Sequence, residues 1–101
     1  MKRPDRVRVM GKVYSITYIE NSDAIESNGV CKNDTLSILI ADELPPDEER
    51  DTLLHEIVHA VDNQISIGLT EKKVRQIATG LMQVILDNPD VAKFLLNKRR
   101  S

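Results

Sequence analysis

Both histidines of this 101-residue chain lie within one stretch of five residues. His55 and His59 are four residues apart, and Glu56 follows the first of them, so the stretch reads H-E-x-x-H. On a helix, two imidazoles at this spacing lie on one side and can bind a single zinc ion. The glutamate between them can take a proton from water as a general base. The stretch therefore predicts two ligands and the base of a catalytic metal site.

The residues around this motif predict the helix that it needs. Pro45 and Pro46 can open a helix, and the three acidic residues that follow favour the positive end of its dipole. We expect this helix to span about 46–65. At 100° per residue, both histidines lie on a polar stripe that also carries Asp62. The opposite stripe is apolar and suited to packing; it consists of Leu53, Leu54, Ile57, Val58, Val61 and Ile65.

A catalytic zinc site needs a third protein ligand. Asp62 would lie about 10 Å along the helix axis from His55, so we assign it to the surroundings of the ligands or to solvent. Glu71 opens a second predicted helix, about 71–86, which Thr70 can cap. It lies at the edge of that helix's apolar face, where a metal ligand and an ordinary first-turn glutamate are equally acceptable. Cys31 is a possible soft ligand, but a buried strand cysteine is the simpler interpretation.

The remaining segments predict an α+β fold. Strands are expected over 6–9, 13–20, 30–32 and 35–40, and they would form a small antiparallel sheet. Gly11 offers the first turn, and Asn33-Asp34 a two-residue hairpin turn. Asn88 and Pro89 are typical of the start of a third helix, about 89–97. Its apolar side chains are expected to face inward; they are Val91, Phe94 and Leu95.

Two segments together resemble the gluzincin type of zinc peptidase, in which a glutamate on the next helix completes an H-E-x-x-H site. Residues 71–82 match the register E-x-x-A-x-x-F-A-A-x-L-L of the small ImmA/IrrE-like gluzincins. Glu71 stands at the glutamate of this pattern and Ala78 at one of its alanines. Residues 52–60 resemble the T-L-L-H-E-x-x-H-A of compact phage-encoded metallopeptidases. Gly80 departs from this pattern. Few residues separate His59 from Glu71, so the loop around Gly68 must reverse the direction of the chain within a short segment.

The resemblance implies a minimal zincin-like domain over residues 1–101 that hydrolyses peptide bonds. It implies His55, His59 and Glu71 as zinc ligands and Glu56 as the general base. It also implies that a peptide substrate adds to a strand around 36–40. No third histidine is left to stabilise an oxyanion, so that role falls to a backbone N–H or to a side chain; the side-chain candidates are Tyr14, Tyr18 and Arg75. For the tyrosines, packing in the sheet is the more ordinary role.

The composition limits the classes of partner and the compartment that we expect for this protein. The net charge of −2 gives no general attraction to nucleic acid or to anionic membranes. No apolar run reaches the ~18 residues of a membrane span, and no secretion signal is visible, so we expect a cytoplasmic protein. The lone Cys31 agrees with a reducing compartment. The basic segments 2–6 and 98–100 are expected to be solvated ends.

Two other classes of function stay open. One is a metal-stabilised protein-interaction module. The other is a nucleic-acid-binding domain that uses the basic ends, which the charge balance disfavours.

Overall fold

The structure is a computed structural model that describes residues 2–20 and 27–97. The segment 21–26, expected to be part of a loop, and the basic residues 98–100 lie outside this description. Four strands precede three helices, as the sequence predicted. They are β1 (Arg6–Val9), β2 (Lys12–Ile19), β3 (Gly29–Lys32), β4 (Ser37–Ala41), α1 (Pro46–Ile65), α2 (Glu71–Asp87) and α3 (Pro89–Leu96). The α+β arrangement is therefore confirmed.

The sheet is mixed, with strand order β1-β2-β4-β3. β1 and β2 form a tight hairpin across Met10 and Gly11, both with positive φ, as expected for a primed two-residue turn. β4 pairs antiparallel with β3 and parallel with β2, whereas the sequence predicted an antiparallel sheet. The parallel pair is possible because residues 20–36 lie between β2 and β4, which is long enough for a crossover.

The turn between β3 and β4 is longer than predicted. Lys32 pairs with Ser37, so four residues make the connection instead of the two at Asn33-Asp34. Leu36 closes the turn with φ of +50°, and its half-buried side chain packs against the sheet core. This apolar residue, expected in a strand beside Ile38, therefore serves the core from the turn.

Helix α1 lies between the sheet and α2 and contributes to two apolar clusters. Toward the sheet, fully buried Ala60 joins Tyr14, Ile38 and Ile40. Toward α2, Val58 packs against Val74 and Ala78. The predicted apolar stripe is thus divided between two neighbours, and only Ile65 at its end is exposed. Because α1 is held on both sides, the orientation of its remaining polar face is well defined.

Helix α3 does not pack as the sequence predicted. Among the described elements it contacts α2 alone. The side chains expected to face inward are instead solvent-exposed, with Phe94 77% and Leu95 76% accessible and Val91 also exposed. The prediction was wrong because helical periodicity shows which side chains share a face, but not whether another element covers that face. None of the described helices combines the length and hydropathy that a membrane crossing requires.

Candidate metal centre

The three predicted ligands converge at one place between α1 and α2. Oε1 of Glu71 lies 2.7 Å from Nε2 of His55, and Oε2 lies 2.8 Å from Nε2 of His59. One donor atom from each residue falls within 4.8 Å of the others. Donor atoms bound about 2 Å from a zinc ion lie roughly 3–4 Å apart. The three side chains therefore fit a shared metal ion with only small adjustments.

The loop between α1 and α2 sets the position of Glu71. Ser66 ends α1 in the left-handed region, and Gly68 follows with φ of +83°. The Asp62 carboxylate accepts hydrogen bonds from the backbone N–H groups of Gly68 (2.7 Å) and Leu69 (3.2 Å). The Asp62 carboxylate therefore braces the loop, and its hydrogen bonds in the described structure go to the loop and not to either imidazole. Gly68 adopts the positive φ that so short a loop between the helices requires.

Helix α2 begins as predicted, with the Thr70 hydroxyl accepting a hydrogen bond from the N–H of Lys73. Glu71 is then the first helical residue, and its side chain is 56% exposed. Burial acts to raise the pKa of this carboxyl, but the hydrogen bond from His55 and the charges of His59 and His55 outweigh it and lower the pKa. Glu71 is thus held as a carboxylate, the form in which it can bind a metal ion.

Glu56 differs from the other members of the site because it is buried, with 5% of its surface accessible. Burial, and secondarily the charge of Glu71, raise the pKa of Glu56 to about 7. Two carboxyl groups in one site thus have opposite pKa shifts, since Glu71 has imidazole partners and Glu56 is shielded from solvent. Such a separation is typical of a site in which one group binds and the other exchanges protons.

A cavity of about 270 Å³ opens next to His55, Glu56 and Glu71. Its walls come from the start of β3, the middle of α1 and the first half of α2. Sequence reasoning missed several wall residues, namely Asn28, Gly29, Asp51, Thr52 and Thr79. Among them, Gly29 has a clear steric reason: a Cβ there would lie 2.7 Å from Thr52 Cγ2 and 3.3 Å from Glu56 Oε2. A glycine that opens a strand was the available signal for this close approach.

The candidate oxyanion groups lie in different places. Arg75 lines the cavity, with Nη2 3.9 Å from Oε1 of Glu71. Tyr14 is fully buried outside the cavity lining, where its hydroxyl donates to Asn33 and accepts from Gln64. Tyr18 donates to the carbonyl of Pro4. The structure therefore brings only Arg75 of these three to the site.

Cys31 is half-buried and packs against the sheet core. Burial, together with the charge of Glu56, raises the pKa of its thiol to about 11. The group of described residues that could share a metal ion does not include it. This agrees with the interpretation of Cys31 as a strand residue of the core.

Comparisons with protein families, curated proteins and solved structures found no match to this chain. The interpretation of the site therefore depends on its own geometry and chemistry.

The role of Asp62 gives a first prediction. Replacing it with alanine removes the acceptor for two loop N–H groups, and at this largely exposed loop each hydrogen bond contributes about 1 kcal/mol. We expect Asp62→Ala to lower the free energy of unfolding by about 2 kcal/mol and to weaken zinc binding about tenfold, since Glu71 is then less well positioned. Urea unfolding and zinc titration measure the two effects. Asn63→Ala, an exposed neighbour, is the control; equal behaviour of both variants would contradict the bracing role.

Proposed function

We propose that the protein is a zinc-dependent metallopeptidase, with His55, His59 and Glu71 as ligands and Glu56 as general base. The observation that carries the proposal is the convergence of two imidazoles and a carboxylate on one point, next to a buried glutamate and an open cavity. A structural zinc site usually has four protein ligands, whereas a catalytic one has three and an open position. A site with three protein ligands beside an open cavity is therefore of the catalytic type.

Zinc held there would supply Lewis-acid chemistry, which polarises a carbonyl oxygen and lowers the pKa of water. Glu56 supplies the proton transfer. Its carboxyl group lies at the cavity wall, where it can take a proton from water and return it to the departing amine. Its burial next to Gly29 restricts its movement, so that the carboxyl group is held at the cavity wall.

We further propose that a peptide substrate pairs with β3. The sequence suggested residues 36–40, but β4 is paired on both sides and has no free edge. β1 and β3 are the two edge strands of the described sheet, and the first residue of β3 lines the cavity. Since the N–H of Ala41 donates to the carbonyl of Asn28, alternation along an antiparallel pair directs the polar backbone groups of Gly29 and Cys31 to the free edge. The Gly29 carbonyl there already accepts a hydrogen bond from the Ser27 hydroxyl, which a pairing peptide would share or displace. An extended peptide added there would pass the metal site.

Arg75 is the proposed partner of the oxyanion, since it is the one cationic side chain among the described residues that line the cavity. Glu71 lies one turn before it, so the guanidinium is next to the metal site. Positive charge at this position would stabilise the negative oxygen that develops on the attacked carbonyl. We place this activity in the cytoplasm, in agreement with the single, half-buried cysteine.

One observation favours a second candidate, a metal-stabilised interaction module with little peptidase activity. Neither tyrosine reaches the cavity, so Arg75 alone serves the oxyanion among the candidate side chains. A module would bind zinc through the same three ligands. It would have no use for a buried, proton-exchanging glutamate, however, and Glu56 is the residue that separates the two functions.

The test measures bound zinc and cleavage of a peptide library by the purified protein. We expect one zinc ion per chain and cleavage that stops on chelation and returns when zinc is added. Glu56→Gln should keep the zinc and lose cleavage by at least about 100-fold. Absence of zinc binding would refute both candidates. Bound zinc without cleavage by the wild type would refute the peptidase and favour the module.

A further inference from the structure

The cavity beside the metal ligands has one charged wall residue to which the proposed mechanism gives no role. In that mechanism His55 and Glu71 bind the metal ion, Glu56 transfers the proton, and Arg75 serves the oxyanion. Asp51 remains, and it lies on the cavity wall one turn of α1 before His55. The salt bridges of the described residues join other carboxylates to their cations, so Asp51 has no ion-pair partner among them.

The two charged wall residues Arg75 and Asp51 lie in different relations to the metal site. Arg75 is on α2, one turn after Glu71, and its Nη2 lies 3.9 Å from Oε1 of Glu71, so its charge is directed toward the metal ligands. Asp51 is on α1, and the four residues from it to His55 correspond to a rise of about 6 Å. The cavity thus has a positive group next to the metal ligands and a negative group about one helical turn away from them.

The size and polarity of the cavity suit one substrate side chain. Its volume of about 270 Å³ is below the ~300–1,000 Å³ of pockets that enclose a whole small molecule. Ala78 is the only residue with an aliphatic side chain in the described lining, and the uncharged polar wall residues are Ser27, Asn28, Thr52 and Thr79. A large apolar side chain would displace water from these groups without replacing its hydrogen bonds. An acidic side chain would be repelled by Asp51.

Gly29 indicates how a substrate side chain would enter the cavity. A Cβ at Gly29 would lie 2.7 Å from Cγ2 of Thr52 and 3.3 Å from Oε2 of Glu56, so this face of β3 is directed toward α1. Residues directly opposite each other on paired strands have their side chains on the same face. A peptide paired with the free edge of β3 would therefore direct the side chain opposite Gly29 toward α1. A lysine or arginine side chain extends about 6–7 Å from its Cα, which is comparable to the rise between His55 and Asp51.

We propose that the cavity binds a lysine or arginine side chain of the substrate next to the scissile bond, with the Asp51 carboxylate as the partner of its cationic group. This inference rests on the proposed peptidase function and names the class of peptide that the site takes. Asp51 then determines which peptides bind productively, because it neither holds the metal ion nor transfers a proton. The polar wall remains hydrated around the cationic group, and the metal ligands are left free to act on the neighbouring carbonyl.

The cleavage test uses short alanine peptides that carry lysine, norleucine or glutamate at the central position. We expect the zinc-loaded wild type to cut beside the central residue, with kcat/KM about fivefold higher for lysine than for norleucine, the upper end for an ion pair open to solvent, and lowest for glutamate. Asp51→Asn should remove the preference for lysine over norleucine, and Asp51→Lys should favour glutamate. Glu48→Gln neutralises an exposed carboxylate one turn earlier on α1, outside the cavity lining, and should keep the wild-type ratio. Equal cleavage of the three peptides, or a lysine preference that persists in Asp51→Asn, would overturn the proposal.

A binding measurement separates this inference from the peptidase proposal. Calorimetric titration of zinc-loaded Glu56→Gln with the same three peptides gives their affinities without cleavage. If lysine is preferred there and Glu56→Gln/Asp51→Asn loses the preference, the role of Asp51 is supported even when the wild type cuts nothing, and the peptidase proposal alone fails. Cleavage by the wild type without a charge preference refutes the role of Asp51 and leaves the peptidase proposal intact. Absence of both binding and cleavage refutes both.

Discussion

Replacing Glu71 with alanine is expected to weaken zinc binding by far more than 100-fold. The carboxylate of Glu71 is the group on which both imidazoles converge, at 2.7 and 2.8 Å. Removal of a residue that only supports a ligand typically costs 10–100-fold in metal affinity, so loss of a ligand itself should exceed that range. Competition with a chromophoric chelator gives the affinity. The melting temperature gives an independent measure, since zinc should raise it in the wild type and not in the variant.

Glu48→Ala is the matched control for this experiment. Glu48 is an exposed glutamate in the first turn of α1, as Glu71 is an exposed glutamate in the first turn of α2. Both changes remove a favourable charge from a helix N-terminus, which costs about 0.3–1 kcal/mol of stability. Only Glu71→Ala should change zinc binding. If Glu71→Ala keeps a zinc affinity within a few-fold of the wild type, Glu71 is not the third ligand.

Replacing Glu56 with glutamine is expected to stabilise the metal-free protein at alkaline pH by up to about 3 kcal/mol. The pKa of Glu56 rises from an ordinary value of 4.5 to about 7 on folding, because burial disfavours its charged form. The folded state therefore favours the protonated carboxyl. This contribution to stability is fully present below about pH 4.5 and is lost as the pH rises through 7. Glutamine has the same shape and stays neutral, so it does not lose stability in this range.

The measurement is urea unfolding with a chelator present, at several pH values from 4.5 to 8.5. The difference in the free energy of unfolding between Glu56→Gln and the wild type should be small at the lower limit and should grow through pH 7. Taking the difference removes the contribution of other titrating groups that the two proteins share. Glu48→Gln, which neutralises an exposed glutamate, should show no such growth. Parallel curves for Glu56→Gln and the wild type would mean that Glu56 is not buried in its charged form.

Local rules were sufficient for the elements that carry the site. Pro46 and the acidic residues after it begin α1, and Thr70 caps α2 with its hydroxyl. Both signals act within one turn of the chain, and the ends of these helices agree with prediction to within a residue. The spacing of His55 and His59 places them on one side of a helix by geometry alone. For this reason the ligands on α1 could be named without a structure.

The position of Glu71 needed both kinds of information. The helical pattern placed it at the edge of an apolar face but could not separate a ligand from an ordinary first-turn glutamate. The packing of Val58 against Val74 and Ala78 brings α1 and α2 together. As a result, the carboxylate of Glu71 lies within hydrogen-bond distance of both imidazoles. The brace from Asp62 to the loop joins residues six and seven apart, and no periodic pattern in the sequence marks it.

By itself, the sequence determined the order and ends of the helices, the strands to within a few residues, and the H-E-x-x-H face, because these depend on neighbours within a few positions. Tertiary structure alone decided the parallel pairing of β2 with β4, which left β3 as the free edge beside the cavity. It also decided the burial of Glu56 against Gly29 and the exposure of Phe94 on α3. Each of these depends on which distant segment lies against a surface, and hydrophobic periodicity carries no information about that.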